Sequence, residues 1–142
     1  MQQLQQRNKY LETTVQTASP AQLLIMLYDG AIRFCRQGIE AIKSNQNAEA
    51  NTNLLKTQNI VSEFIITLDR KSPMADELLS LYEYFNSRLI EANLKKSVEP
   101  AQEVLDYLIE LKETWIQAAK QSNQQAGHAG GNSSKPNHSF IV

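Results

Sequence analysis

The sequence of 142 residues holds little of what catalytic and metal centres are made of. It contains one cysteine and two histidines, so an intramolecular disulfide and a Cys-x-x-Cys metal site are excluded, and a histidine-based centre has little material. Cys35 falls on an apolar stripe without a histidine to activate it, which favours a small core residue. No glycine-rich nucleotide loop is present. The residues therefore predict a protein that is not an enzyme and uses no metal or cofactor.

Long hydrophobic runs and an excess of one charge are also missing. The longest apolar run, residues 23–28, is far shorter than the roughly 20 residues of a membrane-spanning helix. The net charge is −1, which gives no electrostatic signature for nucleic acid or an anionic membrane. The polar amino terminus lacks the apolar region of a signal peptide. We therefore expect a cytoplasmic protein that neither binds nucleic acid nor inserts into a membrane.

Proline is scarce, and its positions predict where helices begin. Three of the four prolines follow a serine that can cap a helix: Ser19-Pro20, Ser72-Pro73 and Ser97 with Pro100. Between these points apolar residues recur with the helical period, and no long stretch alternates at period two. The pattern predicts an all-α fold, an antiparallel four-helix bundle, with helices over about 19–44, 49–69, 73–94 and 97–120.

The two ends of the chain differ from the middle in composition. Residues 1–18 are rich in glutamine with few apolar groups, which predicts an N-terminal arm with room for a short extra helix. Residues 121–142 are polar and glycine-rich, which predicts a flexible tail or, alternatively, a non-native fragment. The sequence thus divides into an arm (1–18), a helical bundle (19–120) and a tail (121–142).

Several large apolar residues lie outside the stripes that face the predicted core. Ile25, Met26 and Leu27 occupy successive positions that span about 200° of a helix, and Ile66 and Tyr84 also fall outside their stripes. Such a surplus indicates either a helix buried on several sides or a groove for a partner. The pattern alone leaves both explanations open.

Gly30 is a second irregularity in the first helix. A glycine inside a helix costs about 1 kcal/mol relative to alanine. It indicates either that another backbone approaches closely or that the helix is locally weak.

Two blocks of sequence resemble a known family. The segment TASPAQLLIMLYDGAI (residues 17–32) and the segment LSLYEYFNSRLIEAN (residues 79–93) closely resemble the recurrent stretches of the FliS-type flagellar secretion chaperones. Asn59-Ile60, Leu68-Asp69, Trp115 and Tyr10 fit other positions of that family. The resemblance extends from about residue 8 to residue 120. Gly38 stands where the family tends to have alanine, and we expect it to loosen the first helix.

The resemblance implies a cytosolic bacterial chaperone of flagellin. In that family a helical bundle binds the disordered C-terminal segment of flagellin in apolar grooves, prevents premature polymerisation and helps delivery to the flagellar type III export gate. The N-terminal arm is expected to cover part of the groove when no client is bound. The residues leave one alternative open, a self-associating bundle, such as a homodimer, without a flagellin client.

The resemblance also implies which residues bind the partner. Leu24, Tyr28 and Trp115 are assigned to the core, and ordinary core packing is the alternative for each aliphatic residue of the binding set. Arg88 and Asn93 would contact the client's backbone or carboxylates, and Tyr10 would anchor the arm. The full set is Tyr10, Met26, Leu27, Ile32, Ile60, Phe64, Leu68, Leu81, Tyr84, Phe85, Arg88, Leu89 and Asn93.

Overall fold

The described part of the chain is all helical apart from its turns. A computed structural model describes residues 17–128, with side chains to residue 122. Within that range there is no strand, and four helices follow one another: α1 (Pro20–Lys43), α2 (Asn47–Thr67), α3 (Ala75–Lys95) and α4 (Val98–His128). The predicted arm and most of the predicted tail, with Tyr10, lie outside the described residues.

The start of α1 confirms the sequence prediction. The Ser19 hydroxyl accepts a hydrogen bond from the Gln22 amide at 3.2 Å, and the Gln22 side chain accepts one from the Ser19 amide at 2.8 Å. Together these bonds form a capping box, with Pro20 in the first turn. Because both backbone donors are satisfied locally, the sequence fixes this end of the helix without help from the rest of the bundle.

The predicted start of α3 at Ser72 and Pro73 is wrong by two residues. Ser72 is buried in the preceding turn, and its carbonyl accepts a hydrogen bond from the Ala75 amide at 3.0 Å. Its hydroxyl accepts a bond from the Met74 amide at 3.3 Å. Pro73 therefore sits at the second position of a turn, which the same fixed φ favours as well as a helix start.

The predicted end of the last helix at Lys120 is also too early. Helix α4 continues to His128, through a stretch in which Gln121, Gln124, Gln125 and Ala126 have good helix propensity and the other residues have less. Once a helix is formed, each further residue needs only propagation and no new nucleus. Composition indicated a flexible segment here, but the preceding helix extends into it.

The four helices form an antiparallel bundle, as predicted. Helix α1 packs against α2 and α4, and α3 packs against the same two helices. Short turns join consecutive helices, so neighbours run in opposite directions. Helices α1 and α3 therefore lie diagonally across the bundle.

An aromatic cluster occupies the centre of the core. The rings of Tyr28 and Phe64 are stacked with centroids 4.4 Å apart, and the ring of Tyr82 lies 5.2 Å from that of Phe64. The hydroxyls of Tyr28 and Tyr82 are hydrogen-bonded at 2.8 Å. Burial raises the pKa of both phenols. Leu24, Tyr28 and Trp115 are all buried, which confirms their assignment to the core.

Cys35 is a core residue, as its position predicted. It is fully buried, and its thiol donates to the Ala101 carbonyl at 3.4 Å. Burial raises the pKa of the thiol to about 12. The side chain is therefore a packing group that links α1 to α4.

The two glycines of α1 have different surroundings. At Gly38 an added Cβ would lie 2.9 Å from the Leu54 Cδ2 and 3.6 Å from the Leu54 backbone nitrogen. The missing side chain of Gly38 lets α2 approach α1 closely, and the expectation that Gly38 loosens the helix stays a prediction. At Gly30 the neighbour is instead the Cδ1 of Ile60, 3.3 Å from an added Cβ.

None of the described helices is both long enough and apolar enough to cross a membrane.

Candidate partner-binding surface

Large apolar side chains are exposed on three helices and a turn, but not on α1. Among the described residues, those that expose a large part of their surface are Leu55, Ile66, Met74, Tyr84, Ile90, Leu94 and Tyr107. Single exposed apolar residues are ordinary on protein surfaces, whereas adjacent ones indicate an interaction site. Apart from Met74 in the turn, they fall into two groups, one on each side of α3.

The first group, the α3/α4 face, consists of Leu81, Tyr84 and Tyr107. Tyr84 is 42% exposed and Tyr107 is 40% exposed. The ring of Tyr107 packs beside the buried Phe85, with centroids 5.6 Å apart. Leu81 is half-buried and precedes Tyr84 by three residues, so both side chains are on the same side of α3. The result is a shallow apolar surface along the seam of the two helices.

A polar network closes one end of the α3/α4 face. The Tyr84 hydroxyl donates to Glu103, and the Arg88 Nε donates to the same carboxylate oxygen at 2.8 Å. Arg88 also forms an ion pair with Glu91. The hydrogen bond from Tyr84, together with the Arg88 guanidinium, lowers the pKa of the Glu103 carboxyl, and that same bond raises the pKa of Tyr84. The network holds α3 and α4 together beside an apolar surface and leaves Arg88 partly exposed.

The second group, the α2/α3 face, consists of Leu55, Ile66, Ile90 and Leu94. Leu94 is 81% exposed and Ile66 is 74% exposed. They flank two polar bridges between α2 and α3: the Asn93 amide donates to Asn51 at 2.8 Å, and the Asn86 amide lies 3.5 Å from the Ser62 hydroxyl. Since residues one helical turn apart share a face, the four apolar side chains lie along the outer side of this seam.

The outer face of α1 is polar instead. Its exposed residues include Gln22, Arg33, Arg36 and Glu40, and Asp29 forms an ion pair with Lys112 of α4 at 2.5 Å. The partly buried Ile25 and Leu27 pack against the core. Burial on several sides, the first of the two explanations that the pattern left open, therefore accounts for Ile25 and Leu27. Met26 is half-buried, and both explanations stay open for it.

The described residues contain no group of three or more His, Cys, Asp or Glu side chains that could hold a metal ion. The arrangement in hand is one of apolar surfaces bordered by amides and one charged network. Its chemistry is that of non-covalent binding.

A comparison with known proteins identifies the family. A family model described as "FliS: Flagellar protein FliS" matches residues 1–122. The chain belongs to the FliS family. This confirms the resemblance carried by the two sequence blocks, of which residues 17–32 lead into and form the first part of α1, and residues 79–93 form most of α3.

Curated relatives of the FliS family agree with the match. The flagellar secretion chaperone FliS of Bacillus subtilis (strain 168) is 33% identical over 122 residues, which cover 86% of this chain and 92% of that protein. The protein of the same name from Campylobacter jejuni (serotype O:6, strain 81116) is 33% identical over 76% of this chain and 86% of its own length. That from Escherichia coli (strain K12) is 29% identical over 74% and 79%.

In the described part of the chain, the binding residues implied by the FliS resemblance differ in burial: some are buried, some are half-buried and one is exposed. Ile32, Phe64, Leu68, Phe85 and Leu89 are buried in the core, which is the alternative that the sequence left open for the aliphatic ones. Met26, Leu27, Ile60 and Leu81 are half-buried, and Tyr84 is exposed. Arg88 and Asn93 are partly buried and hydrogen-bonded, and Tyr10 lies outside the described residues. Among the described members of the set, Leu81, Tyr84 and Arg88 lie together on the α4 side of α3, and Asn93 lies on its α2 side.

Sequence reasoning missed most of the exposed apolar residues of this FliS-family chain. Leu55, Ile90 and Tyr107 each stand next to a buried leucine: Leu54, Leu89 and Leu108 respectively. Successive residues point about 100° apart on a helix, so only one of an adjacent pair can face the centre of the core. Two adjacent apolar residues therefore indicate that one of the two side chains is exposed. The search for single apolar residues outside the core-facing stripes did not use this pattern.

Proposed function

We propose that this chain is a cytoplasmic chaperone of flagellin. It binds the C-terminal segment of unpolymerised flagellin, prevents premature polymerisation and assists delivery to the flagellar type III export apparatus. Membership of a flagellar chaperone family supports the proposal. The single structural observation that carries it is the pair of exposed apolar faces on either side of α3.

Two faces suit a client that orders on binding. Coupled folding and binding typically requires burial of a large area and costs several kcal/mol of ordering free energy. Burial of apolar surface contributes about 25 cal/mol per Å² to the binding free energy. One shallow face would therefore contribute little beyond the cost of ordering the client. A segment that crosses α3 can contact both faces and gain from each. Amphipathic helix-in-groove docking is one recurrent form of such binding.

The proposed contact residues follow from what is accessible. Leu81, Tyr84, Arg88 and Asn93 remain from the set implied by the sequence. The exposed residues of the two faces join them, with Tyr107 on one side and Leu55, Ile90 and Leu94 on the other. The buried members of the original set support these faces from below. Met26, Leu27 and Ile60 stay as predicted contacts of the client, and Tyr10 stays as the predicted anchor of the arm.

The action proposed is binding alone, with no covalent step. The phenol of Tyr84 can exchange its bond to Glu103 for one to the client, and Arg88 can do the same toward a client carboxylate. Exchange between equivalent hydrogen bonds changes the free energy little. Apolar burial would therefore supply the affinity, and these polar groups would set orientation.

Calorimetry with the C-terminal peptide of flagellin from the same organism tests the proposal. We expect binding at micromolar concentration, weakened at least tenfold by Tyr84→Asp and by Leu94→Asp, as is usual for exposed residues central to an interface. Gln37→Asp places the same charge on the polar side of α1 and serves as the control. Circular dichroism should show unchanged helicity in all three variants.

Two results would contradict the proposed function. One is an absence of peptide binding at micromolar concentration in the unaltered protein. The other is sedimentation showing a tight dimer that the peptide does not dissociate, which would favour the self-associating bundle. Equal peptide affinity in Tyr84→Asp and Gln37→Asp would instead remove the α3/α4 face from the site.

A further inference from the structure

The beginning of α3 carries a shallow, open groove on one face of that helix, with an apolar floor and an acidic edge. Asp76, Glu77, Ser80, Leu81 and Tyr84 line it. Asp76 and Glu77 are exposed and take part in no ion pair within the described residues. An occupant that offers apolar side chains together with a positive charge would complement this groove.

Residues 129–142 of the same chain have that composition. The segment AGGNSSKPNHSFIV contains Lys135 and no acidic residue, and it places Phe140, Ile141 and Val142 in succession. The glycine, serine and asparagine residues before this triplet are typical of a flexible linker. The segment also lies beyond the family match, which ends at residue 122.

The geometry of α4 brings this segment within reach of the groove. Helix α4 runs antiparallel to α3, with Tyr107 beside Phe85, so Leu111 is level with Leu81. His128 then lies about 25 Å beyond Leu81 along the bundle. The twelve residues from there to Phe140 span about 20 Å on average as a flexible linker and about 40 Å when extended. The apolar triplet can therefore return to the groove without strain.

The N-terminal arm is less suited to the same groove. It joins the bundle at α1, which lies diagonally opposite α3 and packs mainly on α2 and α4. The arm carries Glu12 beside Arg7 and Lys9, whereas residues 129–142 hold Lys135 without an acidic residue. They also follow directly from α4, which borders α3.

We propose that residues 138–142 dock in this groove, with Lys135 near Asp76 and Glu77, and compete there with the client. The inference rests on the proposed function, since it regulates the same face. A flexible tether of this length gives an effective concentration in the millimolar range, so a weak contact is enough for substantial occupancy. Occupancy of the groove lowers the apparent affinity of any ligand that needs it free. The segment would thus act as a built-in competitor that a strongly binding client displaces.

Paramagnetic relaxation detects the contact without any client. A nitroxide attached at Ser139→Cys in the full chain should broaden the amide signals around Leu81 and Tyr84. Cys35 is buried and its thiol has a raised pKa, so the new cysteine is the one that reacts. Adding Phe140→Ser and Ile141→Ser should restore the signals. Broadening centred on Leu94 or absent altogether would overturn the proposal.

Calorimetry then tests competition. A chain ending at His128 should bind the C-terminal flagellin peptide roughly threefold to tenfold more tightly than the full chain, and Phe140→Ser with Ile141→Ser should reproduce that gain. Equal affinities would overturn the competition. If relaxation shows the contact but no variant binds the peptide, the proposed function fails while the intramolecular contact stands.

Discussion

Helices α1 and α3 lie diagonally across the bundle and use their apolar residues differently. The longest apolar run of the sequence is in α1, yet that helix shows no large exposed hydrophobic residue. Helix α3 buries fewer residues and exposes Tyr84, Ile90 and Leu94. Apolar content therefore does not locate a docking surface. What matters is how much of each helix its two neighbours cover.

Helix α1 is buried on two sides because α2 and α4 both pack closely against it. Gly38 allows Leu54 of α2 to approach, and Cys35 contacts Ala101 at the start of α4. The core side of α3 packs through buried apolar residues, but near the surface it is joined to its neighbours by polar side chains, such as Asn93 with Asn51 and Arg88 with Glu103. The apolar side chains beside these polar bridges stay in solvent.

The largest expected difference between the two helices is in stability. Tyr28→Ala on α1 should lower the free energy of unfolding by about 3–5 kcal/mol, because it leaves a cavity beside Phe64 and removes the hydroxyl partner of Tyr82. Tyr84→Ala on α3 should lower it by less than about 1 kcal/mol. Urea unfolding followed by circular dichroism measures both. Similar losses of unfolding free energy in the two variants would mean that Tyr28 of α1 and Tyr84 of α3 do not differ in their contribution to packing.

Gly38→Ala tests whether α1 depends on its close approach to α2. The added Cβ meets the Cδ2 and Cγ of Leu54, which is fully buried, so the core must shift. We expect a loss of about 1–2 kcal/mol in unfolding free energy, since overpacking outweighs the gain in helix propensity. Unchanged or increased stability would show that the α1–α2 packing is looser than its geometry indicates.

Gly30→Ala in the same helix is the matched control for Gly38→Ala. Its expected effect on the unfolding free energy is smaller and has the opposite sign. The neighbouring atom is the Cδ1 at the end of the half-buried Ile60 side chain, which can move. We expect stability to be unchanged or to rise by up to about 1 kcal/mol, the propensity difference between the two residues. A loss as large as that of Gly38→Ala in the same urea experiment would refute the distinction between the two glycines.

The smallest expected effect on stability is that of Glu103 in the polar network at the α3/α4 face. The pKa of Glu103 is lowered by the bond from Tyr84 and by Arg88, so its contribution to stability is present above the ordinary carboxyl pKa. It is lost as the pH falls through the lowered value. Urea unfolding should show Glu103→Gln slightly less stable than the unaltered protein at neutral pH and equal to it in strong acid. Salt should reduce the difference, because the network is exposed.

The sequence predicted the all-α bundle and the family because both depend on local signals. Helical periodicity, the capping box at Ser19 and the two family blocks are each contained in a short stretch of residues. The binding residues were harder to predict. Phe85 and Leu89 belong to a block that resembles the family, as Tyr84 does. Helical period placed Tyr84 outside the core-facing stripe, but the resemblance assigned all three to the client.

Sequence alone therefore determined four helices, the start of the first and the order in which they follow. The tertiary structure decided which side of each helix its neighbours cover. Helical period fixes the angles between side chains on one helix, whereas the direction of the core is set by where the other three helices lie. That is why Leu24 and Tyr28 of the apolar run are buried, while Tyr84 and Leu94 border the surfaces that we propose for flagellin.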